Sequence, residues 1–312
     1  MRPSIGDIYF DPKNPHSFSS FNDVYQGIRE KRPNISKEKV RDFLAKQDTF
    51  TLHKQPRGKF KTRKTLAKGV NYLWQGDLIS KINLSRYNRS YKYILVIIDV
   101  LSRFAYTRPL RNKTGKTVSE AFESIIAESG NKPKKLQTDR GKEFYNSNFQ
   151  AVCKRHNIIH YSSFSDQKAS LCERLIRTLS SRLHKYMTSK NTLNYVDVLQ
   201  SVTDAYNNHK HRAHKMQPSK VTKQNEKKVW AILYRDYMNS DPGRPVYKVG
   251  DLVRLVKLKA PFTKGYNKNF TDEIFTIDRV KRTRPITYQV SDKDKQPIDG
   301  SFYKEELVRV LL

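Results

Sequence analysis

An α/β core flanked by an N-terminal helical segment and a small C-terminal β-barrel is the fold class this sequence predicts, and three observations carry that expectation. Apolar strand-like runs alternate with helix-periodic stretches between residues 71 and 225. Ahead of them, residues 20 to 47 have apolar side chains at helical spacing. Beyond residue 246, a turn leads into short alternating strands. The segments are therefore 1–53 (helical), 54–70 (basic linker), 71–225 (core), 226–245 (linker helix) and 246–312 (barrel of the SH3-like or chromo-like kind).

Residues 1 to 15, rich in Pro, Asp and Asn, are expected to be extended or mobile. Phe21, Val24, Tyr25 and Ile28 predict a helix over Ser20 to Lys31, which Arg32-Pro33 ends. Ser36, whose hydroxyl can accept from a first-turn amide, opens a second helix carrying Val40, Phe43 and Leu44. Such a pair is either a DNA-binding helix-turn-helix or an ordinary packing unit. Residues 54 to 68 hold seven Lys and Arg, among them Lys59, Lys61, Arg63 and Lys64, and no acid. They read as an arm lying along phosphates, or as a solvated linker that doubles as a nuclear localisation signal.

In the core, Trp74 to Leu84, Tyr91 to Ile98 and Ala105 to Leu110 are expected as three antiparallel strands, the middle one a buried apolar run. Thr114 to Ser129 predicts a helix with Val118, Phe122, Ile125 and Ile126 inward and Gly130 as its stop. A strand over Lys135 to Thr138, a helix over Asn148 to His156 and a strand over Ile158 to Tyr161 follow. Ser162 to Lys168 is a polar loop of the mobile, functional kind. In the next helix Leu171, Leu175, Leu179 and Leu183 form a buried stripe, which leaves Glu173 off it near the first turn. The barrel strands are expected over Val249 to Leu255, Ile274 to Val280, Thr287 to Val290 and Ser301 to Tyr303.

The 312 residues carry a formal charge of +31, a balance that points to a polyanionic partner, nucleic acid first. The core is the most basic part, with 27 Lys and Arg against 11 Asp and Glu over residues 71–225. Two cysteines without a CxxC pair exclude a disulfide framework and fit a reducing compartment. No run approaches a membrane span, and Met1 to Phe10 lacks the apolar centre of a signal peptide, so a soluble intracellular protein is expected.

Three acids then stand out: Asp77 in Trp74-Gln75-Gly76-Asp77, Asp139 in Gln137-Thr138-Asp139-Arg140-Gly141, and Glu173 beside Arg174. Two lie on or at the end of strand-like stretches and one near a helix start, so a folded sheet can gather them. Phosphodiester attack builds charge on the entering and leaving oxygens, which two divalent cations can stabilise. Mg²⁺, a hard ion that keeps waters and takes few carboxylates, suits three acids. Clustered without metal, they would repel and raise one another's pKa. Arg177, one turn beyond Glu173, either grips DNA with Arg174 or forms an i,i+4 ion pair with Glu173.

These motifs resemble the catalytic core of retroviral-type integrases and DDE transposases. The resemblance rests on Trp74-Gln75-Gly76-Asp77, Ile97-Ile98-Asp99-Val100-Leu101-Ser102-Arg103-Phe104, Thr138-Asp139-Arg140-Gly141-Lys142-Glu143-Phe144, Glu173-Arg174, and Ala205-Tyr206-Asn207-Asn208 followed by Pro218. It spans residues 71 to 222, with 33 residues between Asp139 and Glu173. Thr51-Leu52-His53-Lys54, Lys248-Val249-Gly250-Asp251 and Gly300-Ser301-Phe302-Tyr303 are similar to the integrases of Maverick/Polinton DNA transposons and virophages.

The resemblance implies an RNase H-like core in which Asp77, Asp139 and Glu173 hold two Mg²⁺ ions, with Mn²⁺ able to substitute. It implies 3′-end trimming and strand transfer of a linear element into double-stranded DNA, by a homo-oligomer, in the nucleus of a eukaryotic host. The barrel then serves DNA contact and assembly, or as an adaptor for a partner protein. Two departures stand out. No pair of cysteines has zinc spacing, so no structural zinc is expected. Lys168-Ala169-Ser170 replaces the family's Asn-Gly step, and Lys168 joins Arg174 and Arg177 as a candidate DNA contact. His209 to His214 could mimic a metal cluster, but without an acidic or Cys partner nearby it reads as a basic surface. The rivals are an architectural DNA-binding protein that keeps the fold and an RNase H-like nuclease that cuts without joining, for which Asp99 is a further candidate ligand, although as the hydrogen-bonding end of a buried strand it reads as structural.

Overall fold

The computed structural model describes residues 3–56, 58–162, 169–257 and 267–312. Its contacts divide the chain into two compact units, Lys64–Asn239 and a discontinuous unit of Met1–Arg63 with Ser240–Leu312.

The discontinuous unit opens with α1 (Ile5–Tyr9), in a segment expected to be extended. Ser4 and Asp7 close a reciprocal capping box at 2.7 and 3.1 Å. Ile8 and Tyr9 are buried against Val24, Ile28, Val40 and Leu44, and this packing stabilises a helix too short to persist alone. α2 (Phe21–Lys31) and α3 (Lys37–Ala45) begin at the Ser20 and Ser36 caps. A further helix, α4 (Asp48–His53), was not expected.

The unit Lys64–Asn239 is built on one mixed sheet. Its strands are β1 (Leu73–Ser80), β2 (Tyr93–Asp99), β3 (Ala105–Leu110), β4 (Lys135–Thr138) and β5 (Ile159–Ser162), in the order β3-β2-β1-β4-β5. The first three pair antiparallel as expected, while β4 runs parallel to both β1 and β5. The strand expected to reach Leu84 ends at Ser80, because the chain turns into a 3₁₀ helix over Ile82–Tyr87. Among the described residues, five α-helices complete the unit: α5 (Gly115–Ser129), α6 (Ser147–Arg155), α7 (Ser170–Ser189), α8 (Leu199–Asn207) and α9 (Glu226–Asn239). α5 stops at Gly130, whose φ of 62° is the left-handed conformation glycine adopts readily.

β2 shows why its apolar run is unbroken. Leu95 and Ile97 face the cluster of Val118, Phe122 and Phe149 from α5 and α6. Ile94, Val96 and Ile98 face Cys172, Leu175, Leu179 and Leu183 of α7. Alternate residues of a strand point to opposite faces, and helices cover both. Leu171 is only half-buried, and Cys172 takes its expected place in the stripe.

The discontinuous unit ends in a second sheet, antiparallel throughout. It is made of β6 (Leu252–Leu255), β7 (Phe275–Lys281), β8 (Thr287–Ser291), β9 (Phe302–Tyr303) and β10 (Leu307–Val310), in the order β10-β6-β7-β8-β9. β10 was not expected. Buried Arg254 on β6 binds the Asp48 carboxylate at 2.7 Å and the Thr271 and Asp272 carbonyls, tying α4 to this sheet. The Leu52 and Ala45 carbonyls accept from the amides of Asn269 and Leu311. The two ends of the chain therefore share one unit. No helix among the described residues is long and apolar enough to cross a membrane.

Candidate active site

Strand parity sets the faces of the site. On β1, Trp74 and Leu78 belong with the α5 and α6 side, so Gln75, Asp77 and Ile79 point to the side that α7 covers. Gly76 lies between them on the far face, where a Cβ would stand 2.7 Å from Ile97 Cδ1. On β4, Leu136 faces α5 and α6, whereas Gln137 faces the α7 side and Asp139 follows it two residues later.

Asp139 is half-buried just beyond β4, and its Oδ1 accepts from the Gly141 amide at 3.0 Å. The Thr138 hydroxyl donates to the Asp139 carbonyl at 2.8 Å and meets His160 Nε2 at 2.9 Å. With that hydroxyl proton committed, His160 carries its proton on Nε2 and receives Gln150 Nε2 at Nδ1. Burial pulls the His160 pKa down to about 4, so the ring is neutral at pH 7.

Glu173 lies in the first turn of α7, exposed and off the buried stripe. The preceding Ala169 has no side-chain acceptor, and the helix is capped instead from β1. Gln75 Oε1 accepts from the Leu171 and Cys172 amides at 3.1 and 3.2 Å, and Gln75 Nε2 donates to Gln137 Oε1 at 2.9 Å. Gln75 and Gln137 are 1% and 7% exposed, so each buried polar group has a partner where water is excluded. Sequence reading missed both; the available signal was a polar residue two positions before each Asp on a strand.

The Asp77 carboxyl accepts one backbone bond, from Leu78, at 2.8 Å. Burial raises its pKa to about 6, and the nearby charges of Asp139, Glu173 and Glu143 push in the same direction. The fold thus brings the other two expected acids, Asp139 and Glu173, within electrostatic reach of Asp77 and adds a fourth. Glu143 was visible in the sequence only as part of a motif; here its carboxyl lies 2.6–2.8 Å from where a Cβ on Gly141 would be. Among the described residues, no three His, Cys, Asp or Glu side chains are drawn tightly enough together to enclose an ion. The donors are hard carboxylate oxygens and they repel one another, the chemistry a divalent cation relieves.

The model of the integrase core domain family matches residues 67–168, a stretch containing Asp77, Asp139 and Glu143. A transposon-derived protein of Caenorhabditis elegans is 34% identical over 213 residues, which cover 67% of this chain and 71% of that protein. This chain belongs to the integrase core domain family. A simian T-cell lymphotropic virus intasome, solved with the PP2A regulatory subunit B56 gamma, shares the fold. It has a TM-score of 0.63 and 14% identity, covering 90% of this chain and 93% of that one. The catalytic core domain of HTLV-2 integrase, solved with magnesium in a trimeric form, aligns with 50% of this chain and 99% of its own at 22% identity and a TM-score of 0.43. The mixed five-stranded sheet of Lys64–Asn239 is the RNase H-like core of this family.

Other expected residues of the integrase core divide by environment. Asp99 is fully committed to structure: it accepts from the Ser102 hydroxyl, the Ser102 amide and the Asn71 amide. Arg174 and Arg177 are exposed on α7, and no ion pair among the described residues joins Arg177 to Glu173. Lys59, Lys61 and Arg63 are exposed on the discontinuous unit. Lys64 donates to the Leu233 carbonyl at 3.1 Å and faces the Tyr237 ring, so it is docked on α9. Lys168, with residues 163–167 of the polar loop, lies outside the described residues.

The histidine stretch is the basic surface expected only in part: His209, Lys210 and Arg212 are exposed, whereas His211 and His214 turn inward. His214 is wholly buried, accepts from the Met216 amide at Nδ1 and donates from Nε2 to the Ser102 carbonyl. His211 stacks on it at 5.0 Å, and burial lowers the His211 pKa to about 4. Both rings are neutral packing groups at pH 7.

Proposed function

We propose that this chain is a DNA integrase of a mobile element, a DDE-type polynucleotidyl transferase that trims the 3′ ends of linear element DNA and joins them to target DNA. The observation that carries the reading is the convergence of Asp139, Glu173 and Glu143 on Asp77, whose carboxyl is held near pKa 6. Bound there by Asp77, Asp139 and Glu173, two Mg²⁺ or Mn²⁺ ions would supply Lewis-acid stabilisation of the entering and leaving oxygens. The chain's own part is to hold those carboxylates on β1, just beyond β4 and on α7, with exposed Arg174 and Arg177 on the same helix as Glu173 to receive phosphates.

Each step exchanges one phosphodiester bond for another group on phosphorus. In trimming, water attacks and a 3′ hydroxyl is freed. In joining, that hydroxyl attacks target DNA and a target 3′ hydroxyl leaves, so no covalent protein intermediate is required. Insertion of two ends calls for two active sites and hence an oligomer of this chain. Exposed Lys59, Lys61, Arg63, Arg174 and Arg177, together with Lys168, are the proposed phosphate contacts. The C-terminal sheet is proposed as an SH3-like or chromo-like DNA-contact module. The flanking motifs favour a Maverick/Polinton-type element, acting in the nucleus of a eukaryotic host.

Purified protein, terminal-repeat DNA, a plasmid and Mg²⁺ or Mn²⁺ test this. Joined products that vanish in Asp139→Ala while DNA binding persists are expected. Cleavage without joining would replace the reading with a nuclease, and binding alone with an architectural protein.

A further inference from the structure

Two short repeats, Gln75-Gly76-Asp77 and Gln137-Thr138-Asp139, place a glutamine two residues ahead of each aspartate. The parallel register pairs Gln75 with Gln137 across β1 and β4. Their amides bond at 2.9 Å, and the remaining acceptor of Gln75 receives the Leu171 and Cys172 amides. One buried amide pair therefore links the three elements that carry Asp77, Asp139 and Glu173. Among the described residues at the α7 start, Ala169 offers no side-chain cap and Cys172 Sγ donates to the Val96 carbonyl, at 3.5 Å.

We propose that Gln75 and Gln137 are positioning residues that set the separation of the three carboxylates for metal-dependent DNA joining. The role rests on the function proposed above. A primary amide suits it because it donates and accepts at once and adds no charge beside Asp77. A carboxylate at position 75 would keep the bonds from α7 but lose the donor to Gln137. Groups that orient metal-binding side chains act on affinity and rate together, since reacting atoms tolerate little misplacement.

The test uses the full chain with Gln75→Met and Gln137→Met, which preserve side-chain length and remove the amide. Hydrogen exchange over residues 169–176 and joining rate against Mn²⁺ or Mg²⁺ concentration are measured below the melting temperature. In Gln75→Met, faster exchange at Leu171 and Cys172 is expected, with the metal concentration for half-maximal joining raised about tenfold or more. Gln137→Met, which leaves both bonds to α7 in place, should move the metal midpoint less, and it carries the test if Gln75→Met fails to fold. A variant that melts lower yet joins with the wild-type rate and metal midpoint overturns the positioning role. A wild-type chain that joins nothing overturns the function on which the role rests, and this failure is seen without any variant.

Discussion

Asp77 and Asp99 lie on paired strands of one sheet, the first half-buried and the second fully buried, and their surroundings are opposite. Burial raises the pKa of both. Asp99 receives three hydrogen bonds and the favourable charge of Arg103, all from the turn it closes or from Asn71. Among the described residues, Asp77 receives one, and the charges that act on it are acids. The first is a satisfied structural group; the second is left unsatisfied in a way that a cation would relieve. Residue type does not separate them, and the deeper of the two is the one whose neighbours satisfy it.

The comparison breaks most sharply in activity. Asp139→Ala should lower joining by about a thousandfold or more, since several kcal/mol of charge stabilisation are lost, while Asp99 variants that remain folded keep metal-dependent joining. Stability should show the reverse pattern. Asp99→Ala orphans the Ser102 and Asn71 donors and leaves Arg103 without its acid, so urea titration should show a loss of about 3–5 kcal/mol.

Asp77→Asn should stabilise the metal-free protein. The folded pKa of Asp77 is about 6 against an ordinary aspartate value of 3.8, so its contribution is full below pH 4 and is lost as pH rises through 6. At pH 7.5 the asparagine variant should gain about 2–3 kcal/mol, a gap that urea titrations from pH 8 down to 5 should show closing. Divalent metal should narrow the same gap at pH 7.5 by stabilising wild type alone. Smallest of all, Gly76→Ala places a methyl against the movable end of Ile97 on the opposite face of β1. It should cost about 1–2 kcal/mol in thermal unfolding and leave the metal midpoint unchanged.

Legibility in the sequence followed the length of the pattern. β3 and β4 occupy the residues expected, and α2, α3, α5 and α7 begin at or next to expected starts. α1 and α4 escaped because five and six residues carry too little helical periodicity; contacts from distant segments stabilise them. His214 escaped for a related reason, as a histidine in a basic run reads as surface until Ser102 is known to lie against it. The expected strand end at Leu84 failed because nothing local marks the 3₁₀ turn.

The sequence by itself determined the core: β2 must be buried on both faces, and Asp77 must face the opposite side from Trp74, because alternation along a strand has a period of two. It also determined the residue types that the site holds. Only the tertiary structure decided that Gln75 caps α7, that Glu143 joins the acids, that Asp99 is already satisfied, and that the N-terminal helices share a unit with the C-terminal sheet. These are pairings between groups far apart in the chain, and a polar side chain carries no mark of which distant donor will reach it once water is excluded.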